Sequence, residues 1–249
     1  MRVTLIALAL LAWFATVAGA RIAVAASLVA DLSNHLIAIT TGFTGTDVLL
    51  FGAKEGEGDV VVIVRGPTSS ISVRKKSRVA GIWMNTDRVT FSNVPSFYAV
   101  SSSKPVEEIA PASVLARHQI GFSQLKLAAP PQVDPERLRD FRSALIRRQQ
   151  RAGLFMREPG EVSFLGNTLF RTNVYFPANV PVGVYLVEVL LLQNGNVTGA
   201  QTTPLIISKV GFGAELFDFA HQRAAIYGLI AILISLVAGW LPHILLRKA

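Results

Sequence analysis

Hydrophobic and polar positions follow three textures along this chain. From Ser27 to about Tyr98, short apolar or alternating runs are separated at close intervals by Gly, Asp, Asn and Pro. "DVVVIVRGP", Asp59 to Pro67, is a continuous β-branched run closed by Gly66-Pro67, which predicts a strand covered on both faces. "ISVRKK" alternates instead, with Ile71 and Val73 on one face and Ser72 and Arg74 on the other. Between Pro105 and Met156 the period lengthens. Pro111 is placed to start a helix and Gly121 to end it. A stronger helix follows in "DPERLRDFRSALIRRQQRAGLFM", with Asp134 as N-cap, Pro135 in the first turn and Leu138, Phe141 and Leu145 spaced three and four apart.

After Gly160 the strand texture returns. Gly183 and Tyr185 open an apolar strand, Asn194-Gly195 suits a two-residue turn whose central positions both need positive φ, and a final strand ends near Lys209. The Gly-x-Tyr step resembles the tyrosine corner of immunoglobulin-like sandwiches, although no Cys-Trp-Cys signature accompanies it. The predicted fold is therefore mainly β: an immunoglobulin-like β-sandwich ectodomain with a helical insertion, plus one C-terminal transmembrane helix.

Two longer apolar blocks flank this pattern. Val3 to Ala18 follows Arg2 and precedes small-residue sites at Ala18-Gly19-Ala20 and Val24-Ala25-Ala26, the layout of a secretory signal peptide. The Ala26/Ser27 bond is favoured for cleavage over Ala20/Arg21; an uncleaved N-terminal helix is the alternative. Ala224 to Leu246 contains no Asp, Glu, Lys or Arg, with Tyr227 and Trp240 placed as interface anchors. The expected division is a signal peptide (1–26), a β-rich part (27–104), a helical insertion or connector (105–158), a second β-rich part (159–210), a juxtamembrane segment (211–223), a transmembrane helix (224–246) and a cytoplasmic tail (247–249). Export of the N-terminus predicts a periplasmic bulk at a bacterial inner membrane.

Composition narrows the chemistry. The 249 residues carry a net charge of +8 and no cysteine, so disulfides, thiolate nucleophiles and Cys-ligated metals are excluded. Ser101 to Lys104 matches the S-x-x-K spacing of penicillin-binding enzymes, but Lys104 precedes Pro105 and is pushed off helical angles. A polar turn is the better reading. The four histidines are scattered, and "KEGEGD", Lys54 to Asp59, lacks the layout of a calcium loop and reads as a solvated hairpin tip. "TGFTGTD" and "GFG" complete no phosphate-binding motif and read as turns. Basic residues concentrate at Arg74, Lys75, Lys76 and Arg78 and along the long helix at Arg137, Arg139, Arg142, Arg147, Arg148 and Arg151. Nucleic acid is no partner for an exported domain. An anionic lipid surface is one reading of the helix, against a solvated face pairing with Glu136, Asp140 and Glu158. No catalytic, cofactor-binding or metal-binding residue emerges, and the chain is read as a non-enzyme.

Ala224, Gly228, Ala231, Ser235 and Ala238 recur at intervals of four and three and share one face of the last helix. Small residues so arranged permit close helix–helix packing in an apolar medium, so this is the candidate helix-packing face. Several segments, "LSNHLIAITTGFTGTDVLLFGA", "GDVVVIVRGP", "VRKKSRVAGIWMN", "FSNVPSFYAVSSSKP" and "YGLIAILISLVAGW", resemble a transmembrane-protein family of Alphaproteobacteria with a signal peptide, an exported region and one C-terminal span. The family has no established activity to carry over. The resemblance implies the company of a polytopic membrane protein such as a sulfite-exporter-like permease; a homo-oligomer is the other partner expected of the packing face. The function expected is an accessory or interaction protein of an inner-membrane complex, with a membrane-anchored periplasmic binding module for a small molecule or the cell wall as the alternative.

Overall fold

A computed structural model describes residues 28–246. The signal peptide expected at 1–26 and the tail at 247–249 lie outside them. The chain runs through β1 (Leu28–Leu32), β2 (Leu36–Ile39), β3 (Gly45–Lys54), β4 (Asp59–Arg65), β5 (Thr68–Val79), β6 (Ile82–Pro95) and β7 (Tyr98–Ser102). Three helices follow, α1 (Val106–Ile109), α2 (Ala112–His118) and α3 (Pro135–Arg151), and then β8 (Gly160–Glu161), β9 (Ser163–Leu165), β10 (Leu169–Pro177), β11 (Gly183–Gln193) and β12 (Asn196–Lys209). Two further helices complete the described chain, α4 (Phe212–Gln222) and α5 (Ala224–Leu246).

The strands form a four-stranded sheet ordered β1-β3-β10-β9, a six-stranded sheet ordered β2-β12-β11-β4-β7-β8, and a separate β5-β6 ribbon. Both β-rich stretches of the sequence contribute to both large sheets, so they make one sandwich. Its order matches the ABED and GFC sheets of immunoglobulin-type sandwiches, with β1, β3, β9 and β10 as A, B, D and E and β4, β11 and β12 as C, F and G. β2 adds to β12 in parallel at the other edge.

Alternation explains the inner faces. β10 buries Phe170, Thr172, Val174 and Phe176 and exposes the residues between them. These meet Val60, Val62, Val64, Val187 and Val189 from the second sheet, with Phe97 stacked on Phe176 at 4.9 Å between ring centroids. β4 is covered on its other side too. Val61 and Ile63 face a second core built from Val73 and Phe91 of the ribbon and from Leu115, Phe141 and Leu145 of the helices. This is why the run from Val60 to Val64 does not alternate: each residue faces one core or the other, and all are at most 1% exposed. Fully burying one such side chain is worth roughly 1.5–3 kcal/mol.

Local signals act where the sequence puts them. The Asp134 carboxylate accepts from the N–H groups of Glu136 and Arg137 with Pro135 just inside α3. Asn194 and Gly195 have φ of 51° and 76° in the β11–β12 turn. The Tyr185 hydroxyl donates to the Pro181 carbonyl at 2.5 Å, which closes the tyrosine corner.

Two expectations need correction. The expected fold class included a C-terminal transmembrane helix, yet among the described residues no helix is long and apolar enough to cross a membrane. Within the 211–223 segment the chain forms a helix, α4. "KEGEGD" is not a hairpin tip, because β3 and β4 belong to different sheets; Glu55 to Gly58 crosses between the layers.

Candidate functional site

The helix-packing face lies on α5. Ala224, Ala231, Ser235 and Ala238 are exposed and Gly228 is half-buried. A Cβ at Gly228 would meet nothing within 4 Å, so the face is open at its narrowest residue. The Ser235 hydroxyl donates back to the Ala231 carbonyl at 2.8 Å, as serines do inside helices when no other acceptor is near. The larger residues around that face are uncovered as well: Leu229, Ile232, Ile234 and Leu236 are each more than 60% exposed. Of the two expected interface anchors, Trp240 is 64% exposed, whereas Tyr227 packs edge-on against Phe219 of α4. The two helices are separated by Arg223, whose φ and ψ of −131° and 49° break the run. Gly211 caps α4 with a φ of 110°. The helix thus places the five small residues on one side of α5.

A second constellation sits where the sandwich meets the helical insertion. Arg65 of β4 and Glu188 of β11 sit diagonally across the ladder, opposite Leu186 and Ile63, and form an ion pair at 2.6 Å; Arg65 also donates to the His118 carbonyl, and His118 Nδ1 lies 3.6 Å from Glu188. The Tyr98 hydroxyl donates to the Gln119 carbonyl at 2.7 Å and accepts from the Gly121 N–H at 2.8 Å. Burial pushes the Tyr98 phenol up to about 12, so it stays a donor through the physiological range. These groups pin the end of α2 to the sheet. Beside them a cavity of about 280 Å³ is lined by Arg65, Pro67, Gln119, Leu125, Val184 and Leu186. Arg65 and Glu188 are 123 positions apart, and no local pattern announces such a pair. The only signal was a charged residue inside an apolar strand.

The remaining sequence candidates disperse. Ser101 and Ser102 are buried strand residues rather than a turn, Ser103 bonds Asp59 at 3.0 Å, and Lys104 pairs with that same Asp59 at 3.2 Å. An extended backbone separates Ser101 from Lys104, so the serine–lysine relay of one helical turn does not form. Among the described residues no group of three His, Asp or Glu side chains could hold a metal ion. The long helix divides its arginines: Arg142 donates to the Phe122, Ser123 and Leu125 carbonyls, Arg137 pairs with Asp87 of the ribbon, and Arg139, Arg147, Arg148 and Arg151 stay exposed. The partner found for this helix is Asp87, not the expected Glu136, Asp140 or Glu158.

The chain belongs to the family described as "Putative transmembrane protein (Alph_Pro_TM)", whose match spans residues 27–248. No curated protein matches it. Among solved structures, a chain from "Structural basis of T cell specificity and activation by the bacterial superantigen toxic shock syndrome toxin-1" aligns over 74% of this chain and 100% of its own, at 7% identity and a TM-score of 0.26. At that score the likeness bears on neither fold nor function.

Proposed function

We propose that this protein is a non-enzymatic accessory subunit of a bacterial inner-membrane complex, with its β-sandwich in the periplasm and the small-residue face of α5 packed on a helix of a polytopic partner. The observation that carries this reading is the exposure of α5: an apolar surface of this extent is unstable in water and calls for a covering partner. The five small residues favour another helix in that role, because they allow two backbones to approach closely. Membership of a transmembrane-protein family and the leader pattern of residues 1–26 support the location.

The experiment is a helix exchange. Replacing 224–246 by an unrelated apolar helix of equal length keeps apolar bulk and removes the packing face. The accessory role predicts loss of the partner at unchanged expression. Retention of partner and function after the exchange would contradict it, and would turn attention to a binding role for the sandwich.

A further inference from the structure

The β5–β6 ribbon leaves the body of the protein. Its base is buried at Val73, Val89 and Phe91, but from Arg74 to Arg88 only Ser77 and Asp87 are even partly covered. The Val73–Val89 pair is seven residues from the turn at Ala80-Gly81, a reach of about 23 Å at strand rise. Ala80 and Gly81 have φ of 49° and 86°, a tight turn with both central residues left-handed. At the far end stand four large apolar side chains: Val79 at 47% exposure, Ile82 at 67%, Trp83 at 68% and Met84 at 52%. Ribbon tips exposed to water are ordinarily polar, so this composition demands a reason.

Behind the apolar tip lies a basic collar. Val79 pairs with Ile82, Arg78 with Trp83 and Ser77 with Met84 in the first three rungs; Lys76, Lys75, Arg74 and Arg88 occupy the rungs after them. The ribbon's one acid in this stretch, Asp87, is already engaged by Arg137 of α3. Three rungs extend about 10 Å, the depth to which apolar side chains sink at the headgroup–acyl boundary, and the collar then falls at the level of lipid phosphates. We infer that the tip of this ribbon inserts into the interface of an anionic lipid bilayer, with Trp83, Ile82, Val79 and Met84 as the wedge, Arg78 turned on the second rung to the Gly81 carbonyl, and Arg74, Lys75, Lys76 and Arg88 as the phosphate-binding collar. A protein partner would need an acidic-rimmed apolar pocket to match this order of charge. A phosphatidylglycerol surface presents it ready-made.

This contact is independent of any partner of α5 and is tested at a different point of the chain. The chain contains no cysteine, so Met84→Cys in the full-length protein accepts a single environment-sensitive nitrobenzoxadiazole label, with Asn167→Cys as a control on an exposed turn of the sandwich. Each protein is reconstituted in phosphatidylcholine vesicles with and without phosphatidylglycerol. The label at position 84 brightens and is quenched by headgroup-proximal spin-labelled lipid in the anionic vesicles, while the label at 167 stays water-exposed. Adding Arg74→Glu and Lys76→Glu lowers the partition coefficient into the anionic vesicles by about 25-fold, at roughly fivefold per basic residue, with thermal unfolding unchanged. A solvent-like signal at 84 in both vesicle types overturns the inference, as does a signal indifferent to the charge reversal. Brightening that tracks protein concentration rather than lipid charge also overturns it, and assigns the tip to a second copy of the chain.

Discussion

β4 and α5 both rely on branched aliphatic side chains, Val and Ile in β4 and mainly Leu and Ile in α5, yet these meet opposite fates. In β4 every residue from Val60 to Val64 is at most 1% exposed, shared between the sandwich core and the layer of ribbon and helices. In α5 the branched side chains from Ile226 to Val237 are 41–64% exposed. The difference teaches where the molecule's apolar surface is spent. The sandwich buries its own to become stable, and the helix leaves its surface exposed.

Perturbing each region in the same way tests that contrast. Val62→Asp places an unpaired carboxylate between two sheets and should cost about 4 kcal/mol or more, abolishing the cooperative unfolding of the sandwich. Leu233→Asp, an equal insult to α5, should leave that transition within about 0.5 kcal/mol, as followed by denaturant unfolding. An equal loss from both would erase the distinction. Leu145→Ala empties a fully buried site in the second core and should cost about 2–5 kcal/mol by the same assay.

Alkaline titration sharpens the contrast within the sandwich. Burial raises the phenols of Tyr98 and Tyr185 to about 12, above the ordinary 10 of the unfolded chain. The unfolded state therefore releases these protons first as pH rises. Their contribution is whole below pH 10 and is lost between 10 and about 12, on the order of 1.4 kcal/mol per pH unit for each tyrosine. Unfolding midpoints measured across that window should fall, and Tyr185→Phe should flatten the fall. A modest loss is expected at the helix cap: Asp134→Ala leaves the Glu136 and Arg137 N–H groups without their acceptor, at about 1 kcal/mol.

Much of the sandwich was legible because its signals are local. The unbroken run in β4, the Asn194-Gly195 turn, the cap at Asp134 and the corner at Tyr185 each follow from a few adjacent residues. What stayed hidden depends on pairings across the chain. Glu55 to Gly58 looks like a hairpin tip until β3 and β4 fall in different sheets, and Ser101 looks like a turn until β4 covers it. The seam of Arg65 and Glu188 could not be read at all. On α5 the five-residue face was visible from spacing alone, since a helix fixes it, but periodicity does not name an occupant. The ribbon lay between these cases: its alternation was plain, whereas its length and the stacking of Trp83 above the basic rungs needed the register.

The central claim is that α5 meets a helix of another protein through its small-residue face. The most direct measurement is mild-detergent affinity purification of the full-length protein with mass spectrometry, alongside Gly228→Leu and Ser235→Leu. The account predicts one polytopic partner with the unaltered protein and its loss in both variants at equal expression. Recovery of the same partner by both variants, or no partner in any sample, would contradict it.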